Sequence, residues 1–270
     1  MPTVILQKQS SVLSSITSRE VNIIRTCAAV SGGFTIVNST IEDLPLHKIH
    51  LITGALPVGS VEFVQKAMDL LHLKHPTISP YLISTNMKAS IHEKPRVYAR
   101  TIYWTAIKNI LDMKMFVKPV KLKLFNGFVY DPSGNYTNDH DREQHDILMS
   151  LPTDTIVWVS EPVKWVREER IYLYYGHELG RGRYDDGPDD VPPLNESIIN
   201  EIIPYCPPIC SLDVGVLDTG ETAIVEINDA WALGYYTGTL SKEDYFWMLW
   251  ERWQEIRKCA AIPSKYDITL

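Results

Sequence analysis

The chain is short of cysteine, of long apolar runs and of positive charge, and each shortage removes a class of protein. Its four cysteines are Cys27, Cys206, Cys210 and Cys259. Only Cys206 and Cys210 lie close together, and Pro207-Pro208 between them makes a tight metal knuckle awkward. Scattered thiols in a chain of this size read as reduced, buried side chains rather than a disulfide framework or a zinc site. No stretch approaches the roughly 18 apolar residues that cross a membrane. The short apolar run of residues 1–7 precedes its first basic residue, Lys8, the reverse of a secretory signal, so a cytoplasmic protein is expected. Twenty-six Lys and Arg against 33 Asp and Glu leave a net charge of −7. Such a chain has no global field to draw in phosphate backbones or anionic lipid. Aromatic–basic interleaving is missing too, so nucleic acid is not an expected partner. The eight histidines form no H-x-x-x-H pair on a recognisable helix. There is no G-x-S-x-G elbow.

What remains is an ordinary globular composition, 45% hydrophobic and 22% charged over 270 residues, long enough for one to three compact units. Residues 3–6 and 48–53 are short β-branched runs that read as buried strands. Val61, Val64, Ala67, Met68 and Leu71 recur at helical spacing over residues 60–73, with Ser60 as cap. Between strand and helix lies Gly54-Ala-Leu-Pro-Val-Gly59-Ser60, a P-loop spacing without its lysine, read as a capping turn. Residues 76–95 are a connection and 103–111 a helix.

From Met115 the pattern turns to strands: 116–119, 122–130, 155–160, 163–175 and 177–184, with a polar connection at 131–143. Arg100 and the Gly180-Arg-Gly-Arg183 run read as solvated basic positions. A short helix at 195–203, a hairpin over 211–228 and a helix at 241–259 with a Ser241/Asp244 capping box complete the chain. The expected architecture is an α/β N-terminal domain over residues 1–104, followed by an α+β part divided at 105–160 and 161–270.

The hairpin carries the most information. With the turn centred between Thr219 and Gly220, Asp213 falls opposite Glu226. Side chains alternate along a strand and cross-strand partners share a face, so Asp213, Glu226 and Asn228 converge while Val214, Val225 and Ile227 face a core. Two opposed carboxylates repel unless a cation lies between them. That cation is an Arg or Lys side chain or a metal ion, and an all-oxygen set with two carboxylates suits Mg²⁺. A polar face simply wetted by solvent is the plain alternative.

Other pieces supply positive charge and a hinge. Lys118 lies in Phe116-Val-Lys-Pro119, and Lys123 stands shortly before Gly127. A strand runs into Glu161-Pro-Val163, where backbone groups can meet a planar base. Arg170, in Glu168-Glu-Arg170, has a planar fork suited to a phosphoryl group or a carboxylate.

Taken in order, these pieces resemble the ATP-grasp superfamily, and within it a little-characterised branch frequent in bacteria and phages. That branch has a similar G-x-x-P-V-G-S loop, here Gly54–Ser60, and a similar E-x-N-D-A ending, here Glu226–Ala230. The resemblance spans about residues 50–257. It implies an α/β N-terminal domain followed by an α+β ATP-grasp fold, two lobes with antiparallel sheets clamping the nucleotide. It further implies Lys118 and Lys123 on the phosphates of ATP, Glu161 and Val163 on the adenine, Arg170 and Lys123 at the transferring phosphoryl group, and Mg²⁺ held by Asp213, Glu226 and Asn228. The activity it implies is ADP-forming ligation of a small-molecule or peptide carboxylate to an amine through an acyl phosphate. A phosphotransferase and a non-catalytic nucleotide-binding protein are the alternatives, and a homodimer is compatible with the sequence.

Overall fold

A computed structural model describes residues 1–8, 15–81, 97–121 and 124–258. The chain opens with β1 (Thr3–Gln7), α1 (Ser15–Val30), β2 (Thr35–Ser39), the short α2 (Lys48–Ile52), β3 (Leu56–Val58) and α3 (Val61–Leu70). The three strands form a parallel sheet in the order β2-β1-β3. Every residue of β1 is buried, as expected of a parallel strand covered on both faces.

Two readings change here. Residues 48–52 are helix rather than strand: only Leu51 is buried, and Ile49 stands 63% exposed. A short apolar run cannot distinguish the two by periodicity. The strand that pairs with β1 comes next, from inside the glycine segment, and all three of its residues are buried. Ser60 caps α3 as expected, its Oγ accepting from the Phe63 amide at 3.2 Å. The Ser60 amide itself donates to Gln7 Oε1 at 2.7 Å. A Cβ on Gly59 would run into that Gln7 side chain. The P-loop-like segment is thus a strand-to-helix turn plugged by Gln7.

The last helix, α6 (Lys242–Lys258), returns to this first sheet. Its Tyr245, Phe246 and Trp253 share a core with Ile5, Leu6 and Phe63, and Gln254 Nε2 donates to the Gly54 carbonyl at 3.0 Å. The expected capping box forms: Ser241 Oγ accepts from the Asp244 amide at 3.0 Å and donates to the Asp244 carboxylate at 2.7 Å.

A second sheet, antiparallel throughout, contains β4 (Ile102–Ala106), β5 (Met115–Pro119), β6 (Phe128–Tyr130) and β7 (Ile156–Ser160) in the order β4-β7-β5-β6. Its core, with Val117, Phe128, Val157 and Val159, is closed by Leu148 of α4 (Asp139–Ser150). Residues 102–106 are strand rather than helix, because Ile-Tyr-Trp-Thr is a β-branched and aromatic run. β4 therefore straddles the expected boundary at 104/105. The polar stretch 131–143 runs into α4, which Asn138 caps by accepting from the Asp141 amide at 2.7 Å. Gln144 and Leu148 are its only buried residues, too thin an apolar stripe to read.

The third sheet, also antiparallel, holds β8 (Trp165–Tyr174), β9 (His177–Arg183), β10 (Ile209–Leu217) and β11 (Thr222–Asp229) in the order β11-β10-β8-β9. β10 is buried at every position, and α5 (Glu196–Ile202) covers the sheet with Ile198, Ile199 and Ile202. Gly180 and Gly182 lie within β9 rather than in a solvated turn. A Cβ at Gly180 would meet the Leu240 backbone at 2.5 Å, so the glycines admit a crossing chain. Among the described residues no helix is long and apolar enough to cross a membrane.

Candidate active site between the two antiparallel sheets

Asp213, on the buried central strand β10, pairs with Arg170 of β8 on one side and Glu226 of β11 on the other. Three charged side chains from three adjacent strands therefore share one face of the third sheet. Asn228 follows Glu226 by two residues and joins them. The Arg170 guanidinium grips Asp213 with both ends of its fork, Nε to Oδ1 at 2.8 Å and Nη2 to Oδ2 at 2.7 Å. Asn228 Nδ2 donates to Asp213 Oδ2 and to Glu226 Oε1, each at 3.1 Å. The second sheet contributes Lys118 of β5, whose ammonium pairs with Glu226 Oε2. Two cations and two carboxylates balance in a network that joins the sheets.

The reading of the hairpin places Asp213 opposite Glu226, and so does the structure, by a different route. The pairs nearest the turn, Val216 with Thr222 and Val214 with Ile224, are centred on Thr219. The register then shifts between Val214 and Asp213, so that Asp213 meets Glu226. Val214 and Ile227 lie in the core, but Val225 sits at the shift and is only half-buried.

Burial shapes the electrostatics. The Lys118 side chain is 23% exposed, and desolvation pushes its ammonium down to about 8, with Arg170 acting in the same direction and Asp213 against it. Burial also works against the charge of Arg170, but the Asp213 carboxylate more than reverses this and holds the guanidinium firmly charged. Arg170 stands over two rings, its Cζ 5.1 Å from the Tyr236 centroid and 5.9 Å from that of Tyr184. This aromatic floor adds cation–π attraction. Neither tyrosine belongs to a motif that could have announced it. Arg19 of α1 brings its Cζ to 5.5 Å from the Tyr236 ring.

Glu161 and Val163 lie where β7 of the second sheet crosses to β8 of the third. The Glu161 carboxylate accepts from the Thr101 amide at 3.2 Å, and Val163 is half-buried. Lys123 lies outside the described residues. Arg100, read as solvated, is instead 3% exposed.

A family model for the ATP-grasp domain, the third family of its clade, matches residues 59–256. The chain belongs to that family. Solved structures similar to this ATP-grasp protein include the D-alanine–D-alanine ligase from Coxiella burnetii, at 14% identity and TM-score 0.52 over 96% of this chain and 98% of that one. The D-alanine–D-alanine ligase from Bacillus anthracis complexed with ATP matches at 14% identity and TM-score 0.51, over 95% and 98%. The D-cycloserine synthetase DcsG matches at 13% identity and TM-score 0.50, over 93% and 99%. Identities this low speak for the fold. A search of curated proteins returned no match.

In an ATP-grasp protein the network must be able to receive nucleotide and metal. Among the described residues no group of three or more His, Cys, Asp and Glu gathers in metal-binding range. The donor set on hand is two carboxylates and one carboxamide. Mg²⁺ is commonly held this way, by one or two carboxylates with phosphates and waters completing its shell. The residues fit the group.

Proposed function

We propose that this ATP-grasp protein is an ATP- and Mg²⁺-dependent ligase that joins a carboxylate to an amine-type nucleophile. The observation that carries the reading is the row Arg170–Asp213–Glu226, completed by Lys118 from the opposite sheet. Asp213, Glu226 and Asn228 hold Mg²⁺, which neutralises charge on the phosphates. Lys118 exchanges its carboxylate partner for a phosphate oxygen, Lys123 adds a second positive charge there, and Glu161 with Val163 receives the adenine between the sheets. Arg170 faces the transferring phosphoryl group.

The reaction these groups serve has two steps. A substrate carboxylate oxygen attacks the terminal phosphorus of ATP, the bond to the bridging oxygen breaks, and ADP leaves. The nitrogen of the amine then attacks the carbonyl carbon of the acyl phosphate, phosphate departs and the amine loses a proton. Phosphoryl transfer requires positioning and charge neutralisation more than a protein nucleophile, and cations with metal ligands are what this site offers. The acceptors are small molecules or peptides.

The test is ADP release from ATP and Mg²⁺ across panels of carboxylates and amines, for wild type and Glu226→Gln. Acceptor-dependent ADP formation with a ligated product, lost in the variant, supports the reading. Equal turnover in the variant, or none from wild type with any acceptor, refutes it.

A further inference from the structure

We propose that Arg100 is a positioning residue that sets the register of the metal-side carboxylates by clamping a one-residue bulge in β11. This rests on the proposed role of Asp213, Glu226 and Asn228. β11 pairs Ile224 with Val214 and Glu226 with Asp213, leaving Val225 without a partner. If the pairing nearest the turn continued unbroken, Val225 would stand opposite Asp213. Glu226 would then stand opposite Leu212, which lies in the apolar core. A slip of one residue moves a whole strand segment to the other face. The bulge is therefore what brings Glu226 and Asn228 to the face of Asp213.

A bulge leaves backbone groups without ladder partners, and buried backbone groups must find others. At this bulge Arg100 supplies them. Its Nη1 donates to the Ile224 carbonyl at 2.9 Å and its Nη2 to the Val225 carbonyl at 3.1 Å. Nη1 also donates to the Tyr98 carbonyl at 3.1 Å, and the Tyr81 hydroxyl lies beside it. The Ile224 amide donates outward to Val97 O at 2.8 Å. The Arg100 guanidinium stacks over Trp165, Cζ to centroid 5.1 Å. A planar fork spans two successive carbonyls, whereas the point charge of a lysine does not. Arg100 touches neither Asp213 nor Glu226 directly, so it acts on them only through the path of β11.

The test uses the full chain in four forms: wild type, Arg100→Met, deletion of Val225, and both changes together. Deleting Val225 brings the glutamate opposite Asp213 in unbroken register, with no bulge left to clamp. The readout is the dissociation constant of ADP with and without Mg²⁺, with a thermal melt for folding. Arg100→Met is expected to weaken the Mg²⁺-dependent part of binding about tenfold or more, as loss of an outer-shell partner does. It should leave Mg²⁺-free binding unchanged. The double variant should return to within about threefold of wild type, since a clamp without a bulge has no task. Unchanged binding in Arg100→Met, or a loss that the deletion does not restore, overturns the proposal. Arg100→Lys, which keeps the charge, carries the same expectation where the methionine variant fails to fold. If wild type itself shows no Mg²⁺-dependent binding, the proposed function fails instead. A crystal structure of the Arg100 variant then decides the clamp: Asp213 still opposite Glu226 refutes it, and a shifted β11 supports it.

Discussion

Two arginine–aspartate pairs anchored in the third sheet have nearly the same geometry and different meanings. Arg170 holds Asp213 at 2.8 and 2.7 Å. Arg252 of α6 holds Asp229 at 2.7 and 2.6 Å. All four side chains are largely buried. The difference lies in the neighbours. Around Asp213 stand a second carboxylate, a carboxamide and a lysine from another sheet, partners that a nucleotide and Mg²⁺ can replace. Around Asp229 stand Glu255, which accepts from Arg252 at 3.1 Å, and Tyr175, which donates to Glu255 at 2.6 Å. Those groups tie β11 to α6. Pair geometry alone does not separate a site from a strut; the company of the pair does.

The comparison breaks most visibly at Glu226. Glu226→Gln removes one charge from the site and is expected to cut ADP formation by roughly 100-fold or more, while its thermal midpoint stays near that of wild type. A variant of the other pair that lost activity equally without losing stability would erase the distinction. Next comes the strut. Arg252→Met leaves the Asp229 carboxylate buried without its partner, and burial already pushes that carboxyl up. A loss of about 3–5 kcal/mol in urea unfolding is expected, with most of it regained in Arg252→Met/Asp229→Leu. Arg170→Met should cost less stability, because Asn228 still donates to Asp213, and more activity.

The smallest effect sharpens the rule from the side of a carboxylate with no fork around it. Glu20 of α1 accepts from the Tyr235 amide at 2.8 Å, and Arg19 approaches it only to 3.5 Å. Desolvation raises its pKa above the ordinary 4.5 despite these groups. The folded state then holds the proton more tightly than the unfolded chain. Its contribution is complete below pH 4.5 and falls away as pH rises through the folded value. Glu20→Gln should flatten that decline, so wild type and variant should diverge in unfolding free energy as pH climbs from 4.5 towards neutrality. Parallel curves would show that Glu20 is not held in its neutral form.

The hairpin was readable because alternation and a Gly turn are local signals, and the convergence of Asp213, Glu226 and Asn228 follows from them. The bulge was not, since Ile224-Val225 looks like any apolar strand. The pairing of Lys118 with Glu226 spans 108 positions and depends on how two sheets face each other, which no window of sequence records. Arg100 was misread for the same reason: its partners are backbone carbonyls, which leave no residue-type trace. In the first unit, residues 48–53 and the following glycine segment exchanged roles because both are short and apolar. α1 and β2 left too weak a signal for their place beside β1 to be read.

The return of α6 to the first sheet has a consequence for the birth of the protein. Tyr245, Phe246 and Trp253 fill the core begun by β1 and α3, yet they are made after both antiparallel sheets. A nascent chain shorter than residue 242 therefore carries an apolar surface that nothing else in its sequence covers. Domains commonly fold as they emerge, N-terminal parts first, but this one must wait for its final turns. Its opening segment is held open through most of synthesis, and the last helix closes it.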